Sequence, residues 1–290
     1  MQYIFLLNTF SLKKNVSMLE EKITKYCIEK QYEFVIEKNS IEVSTEDILK
    51  KYEHSHCILV AVGGDGTICR VLNGMVHTNN ILSYIPYGTG NDFYRANKEL
   101  LKDGLNDIDL VRVNDRYFIN VACFGIDAVI GNHNEVIHSK WIPEKQRYNV
   151  SMVHHFFHYQ PRNFEVRIGK RRYHGDFTTI AICNGRYYGG GYKIGYSSLL
   201  DDGLIDVYLA PKLTKWQTVK MMLGMNKGKL EHHSKIQKVS TNKLKITSKN
   251  DVSINLDGEE YIHHSFDVEL IPKGICIYYD SDMIKRIGKK

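Results

Sequence analysis

The sequence has no Cys-x-x-Cys pair: its six cysteines, Cys27, Cys57, Cys69, Cys123, Cys183 and Cys276, lie far apart. With no secretory signal ahead of them, the expectation is reduced thiols in a cytoplasm. Long apolar runs are also missing. Stretches such as Ile58 to Val62 and Val121 to Phe124 fall well short of the roughly eighteen residues that cross a bilayer, which leaves only peripheral contact with lipid. The thirteen histidines include the pairs His154-His155, His232-His233 and His263-His264, yet none stands with cysteine or carboxylate at a zinc spacing. No internal repeat, low-complexity tract or Pro/Ser-rich linker is evident. What remains is 290 residues with 43% hydrophobic content, enough for one large or two ordinary domains with real cores, which excludes a disordered or fibrous chain. Lys+Arg outnumber Asp+Glu by 39 to 33, and the net +6 forms no basic arm. That balance favours mild attraction to anionic surfaces and makes no demand for nucleic acid.

The first third alternates short apolar runs with helical periodicity, the rhythm of a parallel α/β domain. Strands are expected at Tyr3 to Leu7, Glu33 to Ile36, Cys57 to Val62 and Ile81 to Ile85. Helical spacing links Val16, Leu19, Ile23, Tyr26 and Cys27, and later Ile68, Val71, Leu72, Met75 and Val76. Ser44 with Asp47 three residues on marks a capped helix running through Tyr52. From about residue 107 the pattern turns to short alternating segments and turn residues, as antiparallel pairing requires. Hairpins are expected around Asn114-Asp115 and Gly169-Lys170, with strands at Phe177 to Cys183, Leu204 to Leu209, Leu244 to Thr247, Val252 to Leu256 and Phe266 to Ile271. Two helices, Tyr148 to Tyr159 and Thr214 to Met225, interrupt them.

Two glycine turns carry the chemistry. Gly63-Gly64-Asp65-Gly66-Thr67 follows one buried strand, and Pro86-Tyr87-Gly88-Thr89-Gly90-Asn91-Asp92-Phe93 follows the next. A lone glycine cluster is most often a tight strand-to-helix turn. Two on successive strands lie side by side at the carboxyl edge of a parallel sheet, where backbone N–H groups and helix N-termini suit phosphate. Asp65 inside such a cradle repels an anion unless a cation or donor intervenes, which suggests Mg2+ coordination or activation of a hydroxyl. No Gly-Lys-[Ser/Thr] and no Gly-x-Gly-x-x-Gly follows, so a P-loop enzyme and a simple dinucleotide dehydrogenase both lose support.

On these residues the sequence resembles the diacylglycerol kinase catalytic-domain family, in its soluble bacterial lipid kinase branch, with sphingosine kinases and NAD kinases as relatives. The resemblance runs through Val71-Leu72-Asn73-Gly74, Arg95, Asn120-Val121-Ala122 with Gly125-Ile126-Asp127-Ala128, Asn184-Gly185, Gly189 to Gly191, Leu200 to Asp206, and Leu256-Asp257-Gly258-Glu259. It implies an α/β nucleotide-binding domain with a parallel sheet over 1–115, a β-sandwich-like antiparallel lipid-substrate domain over 116–272, and a C-terminal segment, 273–290, returning to the first.

The same resemblance implies ATP as phosphoryl donor and Mg2+ as cofactor. Its ATP site comprises Gly63, Gly64, Asp65, Gly66, Thr67, Gly88, Thr89 and Asn91, joined by Asn8 and Thr9, where the family more often has Asn-Pro, and by Ser40. Glu259 is implied as the general base that takes the proton of a lipid hydroxyl, with Asp257 beside it and Asp65 completing the catalytic set. A second Mg2+ is implied on Asp202 with the carbonyls of Leu199 and Leu204. Arg70 stands where the family often has glutamate. The acceptor is expected to be diacylglycerol, with sphingoid bases, phosphatidylglycerol, isoprenoid alcohols or a soluble polyol or nucleotide as alternatives. A non-catalytic nucleotide-binding regulator is the reading of another class, against which the retained carboxylates speak. The expected setting is cytoplasmic with peripheral membrane contact. Trp141, Ile142, Phe156, Phe157 and Trp216, with Lys140, Lys145, Lys212 and Lys215, are candidates for the lipid-facing patch. A homodimer is left open.

Overall fold

The computed structural model describes residues 1–88, 90–98, 100–125, 159–226, 230 and 233–288. Thr89, the Ile126-Asp127-Ala128 segment, the expected helix before Tyr159 and the candidate lipid-facing residues from Lys140 to Phe157 lie outside the described residues. The first half opens with β1 (Tyr3–Leu7), α1 (Thr9–Leu12), α2 (Val16–Lys30), β2 (Phe34–Lys38), α3 (Thr45–Lys50), β3 (Ile58–Gly63), α4 (Asp65–Met75), β4 (Ile81–Pro86) and α5 (Asp92–Asn97). Strands β2, β1, β3 and β4 pair in that spatial order, every pair parallel. Alternation along β1 sorts its side chains between two layers. Ile4 and Leu6 join Ile48, Leu49, Ile68, Val71 and Leu72 under α3 and α4. Tyr3, Phe5 and Leu7 join Leu19, Ile23 and Tyr26 of α2 on the other face.

The β-rich half contains β5 (Gly104–Val113), β6 (Arg116–Phe118), β7 (Val121–Gly125), β8 (Arg162–Ile168), β9 (Arg171–Cys183), the short pair β10 (Tyr187–Tyr188) and β11 (Tyr192–Lys193), and β12 (Ile205–Pro211). After them come α6 (Lys215–Asn226), β13 (Gln237–Thr241), β14 (Lys243–Leu256), β15 (Glu259–Tyr279) and α7 (Ser281–Ile287). Its strands pair antiparallel around Phe124, Phe164, Ile182, Ile254 and Phe266. Segments that read as separate strands in the sequence fuse here. Leu244 to Thr247 and Val252 to Leu256 are one strand, β14, with a register shift between them. β15 runs past Ile271, through a second shift before Ile275, and its far end touches β4 through Ile277 and Leu82. One strand thereby connects both halves.

α7, which no periodicity announced, lies on α2. Asp280 caps its start by accepting from Met283 N–H at 2.8 Å, and Arg286 grips Glu29 with two nitrogens at 2.9 and 2.6 Å. Met283 and Ile287 enter the α2 layer fully buried. The six cysteines are free thiols, five of them buried. Among the described residues, no helix is long and apolar enough to cross a membrane.

Candidate active site

Strand register brings four loops to one edge. Leu7 pairs with Lys38 and with Val62, and Gly63 pairs with Pro86, so the segments after β1, β2, β3 and β4 leave the sheet together. Asn8 Nδ2 donates to Thr67 Oγ1 at 3.1 Å. Thr9 donates its N–H to Asn39 Oδ1 and its hydroxyl to Asn39 O, both at 2.8 Å. Ser40 Oγ instead accepts from the N–H groups of Glu42 and Val43 and closes its own turn. Asn39, buried and unremarked in the sequence, therefore holds the first loop. The register supplies the missing signal, since Asn8 and Asn39 follow paired strand ends.

The two glycine turns touch through their backbones. A Cβ at Gly88 would stand 2.5 Å from Gly64 Cα, a clash no side chain could relieve. Gly88 N–H donates to Asn91 Oδ1 at 2.8 Å, and Asn91 Nδ2 returns a bond to Gly88 O at 3.1 Å. α4 begins at Asp65, three residues before the expected Ile68, because Thr67 and Ile68 N–H groups already turn back to Gly64 O. Asp65 bridges the turns: Asp92 N–H donates to Oδ2 at 3.0 Å and Phe93 N–H to Oδ1 at 2.9 Å. Its charge thus caps α5. Asp92 accepts from Arg95 Nη1 at 2.9 Å and from Gly190 N–H at 2.7 Å, which brings the loop between β10 and β11 to the site. Burial, reinforced by the Asp65 charge, pushes the Asp92 carboxyl up to about 6, against the pull of Gly190, Arg95 and Gly191.

The turn from β14 to β15 reaches the same place from the other half. Asp257 adopts φ +47°, a left-handed conformation that costs a non-glycine residue free energy. Three backbone N–H donors offset it: Ile119 at 2.8 Å, Asn120 at 3.0 Å and Val121 at 2.8 Å. Burial drives this carboxyl up to about 7; the three donors oppose the shift and the Asp65 charge adds to it. The side chain is sealed and fully engaged. Glu259, two residues on, is half-exposed and stands over the first turn of α4. A Cβ at Gly66 would lie 2.8 Å from Glu259 Oε1. Arg70, one helical turn further along α4, places Nη2 at 3.0 Å from Oε1 and 3.3 Å from Oε2. The residue that departs from the family pattern is the partner of the implied base.

The structure therefore gathers Asn8, Thr9, Gly63 to Thr67, Gly88, Asn91, Asp257 and Glu259 at one edge, leaves Ser40 facing its own turn, and adds Asn39, Arg70 and Asp92. Asp65, Asp92 and Asp257 each accept backbone N–H donors, and the Asp65 charge helps to raise the other two carboxyls. The loop with Asp202 lies elsewhere. Asp202 Oδ1 accepts from Leu204 N–H at 3.0 Å, and buried Asp109 accepts from Gly203 N–H at 2.8 Å and Lys273 N–H at 2.9 Å. Burial, then Asp206, Asp109 and Asp201, raise the Asp202 carboxyl. Among the described residues no group of three or more His, Cys, Asp or Glu side chains is arranged to hold a metal ion. A cation there would rest on one carboxylate and the carbonyls of Leu199 and Leu204, hard oxygen donors of the kind Mg2+ accepts.

Residues 2–115 match the diacylglycerol kinase catalytic domain, and residues 120–279 match the YegS C-terminal NAD kinase beta sandwich-like domain. A "Probable lipid kinase YegS-like" of Yersinia enterocolitica is 30% identical over 241 residues, covering 75% of this chain and 77% of that protein. The "Diacylglycerol kinase" of Bacillus subtilis is 26% identical over 222 residues, covering 70% of this chain and 71% of that one. A crystal structure of a diacylglycerol kinase from Bacillus anthracis str. Sterne has a TM-score of 0.73 at 18% identity, covering 97% of this chain and 98% of the other, a likeness of fold.

Proposed function

The chain belongs to the diacylglycerol kinase catalytic-domain family of lipid kinases, and on that premise we propose that it transfers the γ-phosphoryl group of ATP, with Mg2+, to the hydroxyl of diacylglycerol. The observation that carries this reading is the contrast between Glu259, half-exposed over the α4 N-terminus, and the sealed Asp257. ATP phosphates would be held by the backbone of Gly63 to Thr67 and of Gly88, Gly90 and Asn91, where helix N-termini favour negative charge. A divalent cation, when bound, would screen phosphate charge, with Asp65, whose two oxygens also accept backbone N–H groups, as its carboxylate ligand. Glu259 accepts the proton of the acceptor hydroxyl as the new P–O bond forms and the bond to the β-phosphate oxygen breaks. Asp257 holds the turn to residues 119–121 and so fixes where Glu259 stands. Diacylglycerol is the acceptor because a relative carries that name.

The test is purified protein with labelled ATP and mixed micelles of diacylglycerol, sphingosine, phosphatidylglycerol or an isoprenoid alcohol. Label in diacylglycerol, lost on chelation, is expected. Label confined to another lipid moves the acceptor, activity that survives full chelation removes the cation, and label in no lipid overturns the reading.

A further inference from the structure

The net charge is less evenly spread than the totals suggest. Between Asp206 and Glu231 the sequence holds five lysines, Lys212, Lys215, Lys220, Lys227 and Lys229, and no acidic residue. α6 occupies the middle of that stretch. Its inner face is accounted for: Met221, with Leu213 just ahead of the helix, packs among Cys123, Cys183 and Tyr208. Its outer face is not. Trp216 is 85% exposed and Leu223 61%, with Lys220 exposed between them. At 3.6 residues per turn these three positions share an arc of about 60°. A large aromatic standing in water is unusual. Tryptophan beside lysine on one helical stripe has the chemistry of a bilayer surface, the ring settling among headgroups while ammonium groups meet lipid phosphates.

The helix is close to the site in the fold. α6 packs on β11, which pairs with β10. The loop joining them donates Gly190 N–H to Asp92 and lays Gly191 against Arg95. One short hairpin thus separates α6 from α5. We propose that α6 is the helix by which this protein docks on an anionic bilayer, with Trp216 and Leu223 entering the interface and the exposed Lys212 and Lys220 attracted to lipid phosphates. An acidic protein surface would satisfy the lysines, one of which, Lys212, already has Asp176 at 3.8 Å, but gives no reason for the apolar pair. The choice of a bilayer rests on the proposed lipid kinase activity, whose acceptor lies in that bilayer.

The experiment uses the full chain with Trp141→Phe, so that Trp216 is the one indole. Vesicles of phosphatidylcholine with and without phosphatidylglycerol are added at low and high salt. Expected are a blue shift and protection from an aqueous quencher with anionic vesicles only, weakening as salt rises. The double variant Trp216→Ala, Leu223→Ala is expected to sediment with those vesicles about tenfold less, and Lys212→Glu with Lys220→Glu to abolish the preference for anionic lipid. On a short-chain diacylglycerol dissolved below its aggregation limit, the double variant keeps parental turnover. Vesicle binding without a change at Trp216, or equal binding by parent and variants, overturns the proposal. Protection of Trp216 that grows with protein concentration and needs no vesicles identifies a second copy as the occupant and also overturns it. Docking through α6 with no lipid phosphorylated leaves this proposal standing and removes the kinase reading alone.

Discussion

The two halves of the molecule build the site by different means. The parallel half contributes backbone: the Gly64 and Gly88 turns pressed together, the first turns of α4 and α5, and Asp65 spent on tying them. The antiparallel half contributes one turn whose two carboxylates live in opposite surroundings. Asp257 is locked by three N–H donors, while Glu259 faces outward against Arg70. The difference teaches that the proposed nucleotide cradle is made by chain geometry, whereas a carboxylate's role is decided by what encloses it.

The largest expected effect breaks the enclosed side. An aspartate pushed up to about 7 holds its proton in the native state while the unfolded chain has released it. Between about pH 4 and pH 7 the native state therefore binds more protons, and stability falls as pH rises through that window. Asp92, pushed up to about 6, adds in the same direction. For Asp257 the swing is on the order of 4 kcal/mol. Asp257→Asn should flatten it, and urea unfolding at pH 4.5 and pH 8 of parent and variant measures the difference. Equal slopes would show that Asp257 does not titrate in this range.

Next comes the cradle. Gly88→Ala puts a methyl group 2.5 Å from Gly64 Cα, so the turns must part at a cost of about 1–3 kcal/mol. ATP affinity should fall by at least tenfold, read by titration calorimetry, and an unchanged affinity would free the turns of any nucleotide role. The smallest effect sharpens the exposed side. Arg70→Ala, by releasing the Glu259 carboxylate, should lower turnover about tenfold, an ordinary loss for one charge-assisted contact, with partial recovery in Arg70→Lys. In a Glu259→Gln background the same change should do nothing. A loss that persists there would mean that Arg70 acts by another route.

Legibility in the sequence followed the range of the interaction. The parallel strands and the capping box at Ser44 and Asp47 are local patterns, and the latter closes with bonds of 3.1 and 3.2 Å between those residues. The glycine turns were legible for the same reason. Arg70 and Glu259 lie 189 positions apart, and Asp257 meets N–H groups 136 to 138 positions away. No spacing rule connects such residues. The fused strands β9 and β14 hid because polar stretches, such as His174-Gly175-Asp176 and Ser248-Lys249-Asn250-Asp251, look like turns until a partner strand pairs across or beside them. α7 hid because seven residues with only Met283, Ile284 and Ile287 buried are too short to show a helical period.

The division of labour is tested most directly by measuring ATP affinity and turnover together on Glu259→Gln. If the parallel half binds the nucleotide and Glu259 serves only the acceptor's proton, affinity stays within about twofold of the parent while turnover falls roughly a hundredfold or more. Near-parental turnover, or affinity and turnover falling in step, would contradict it.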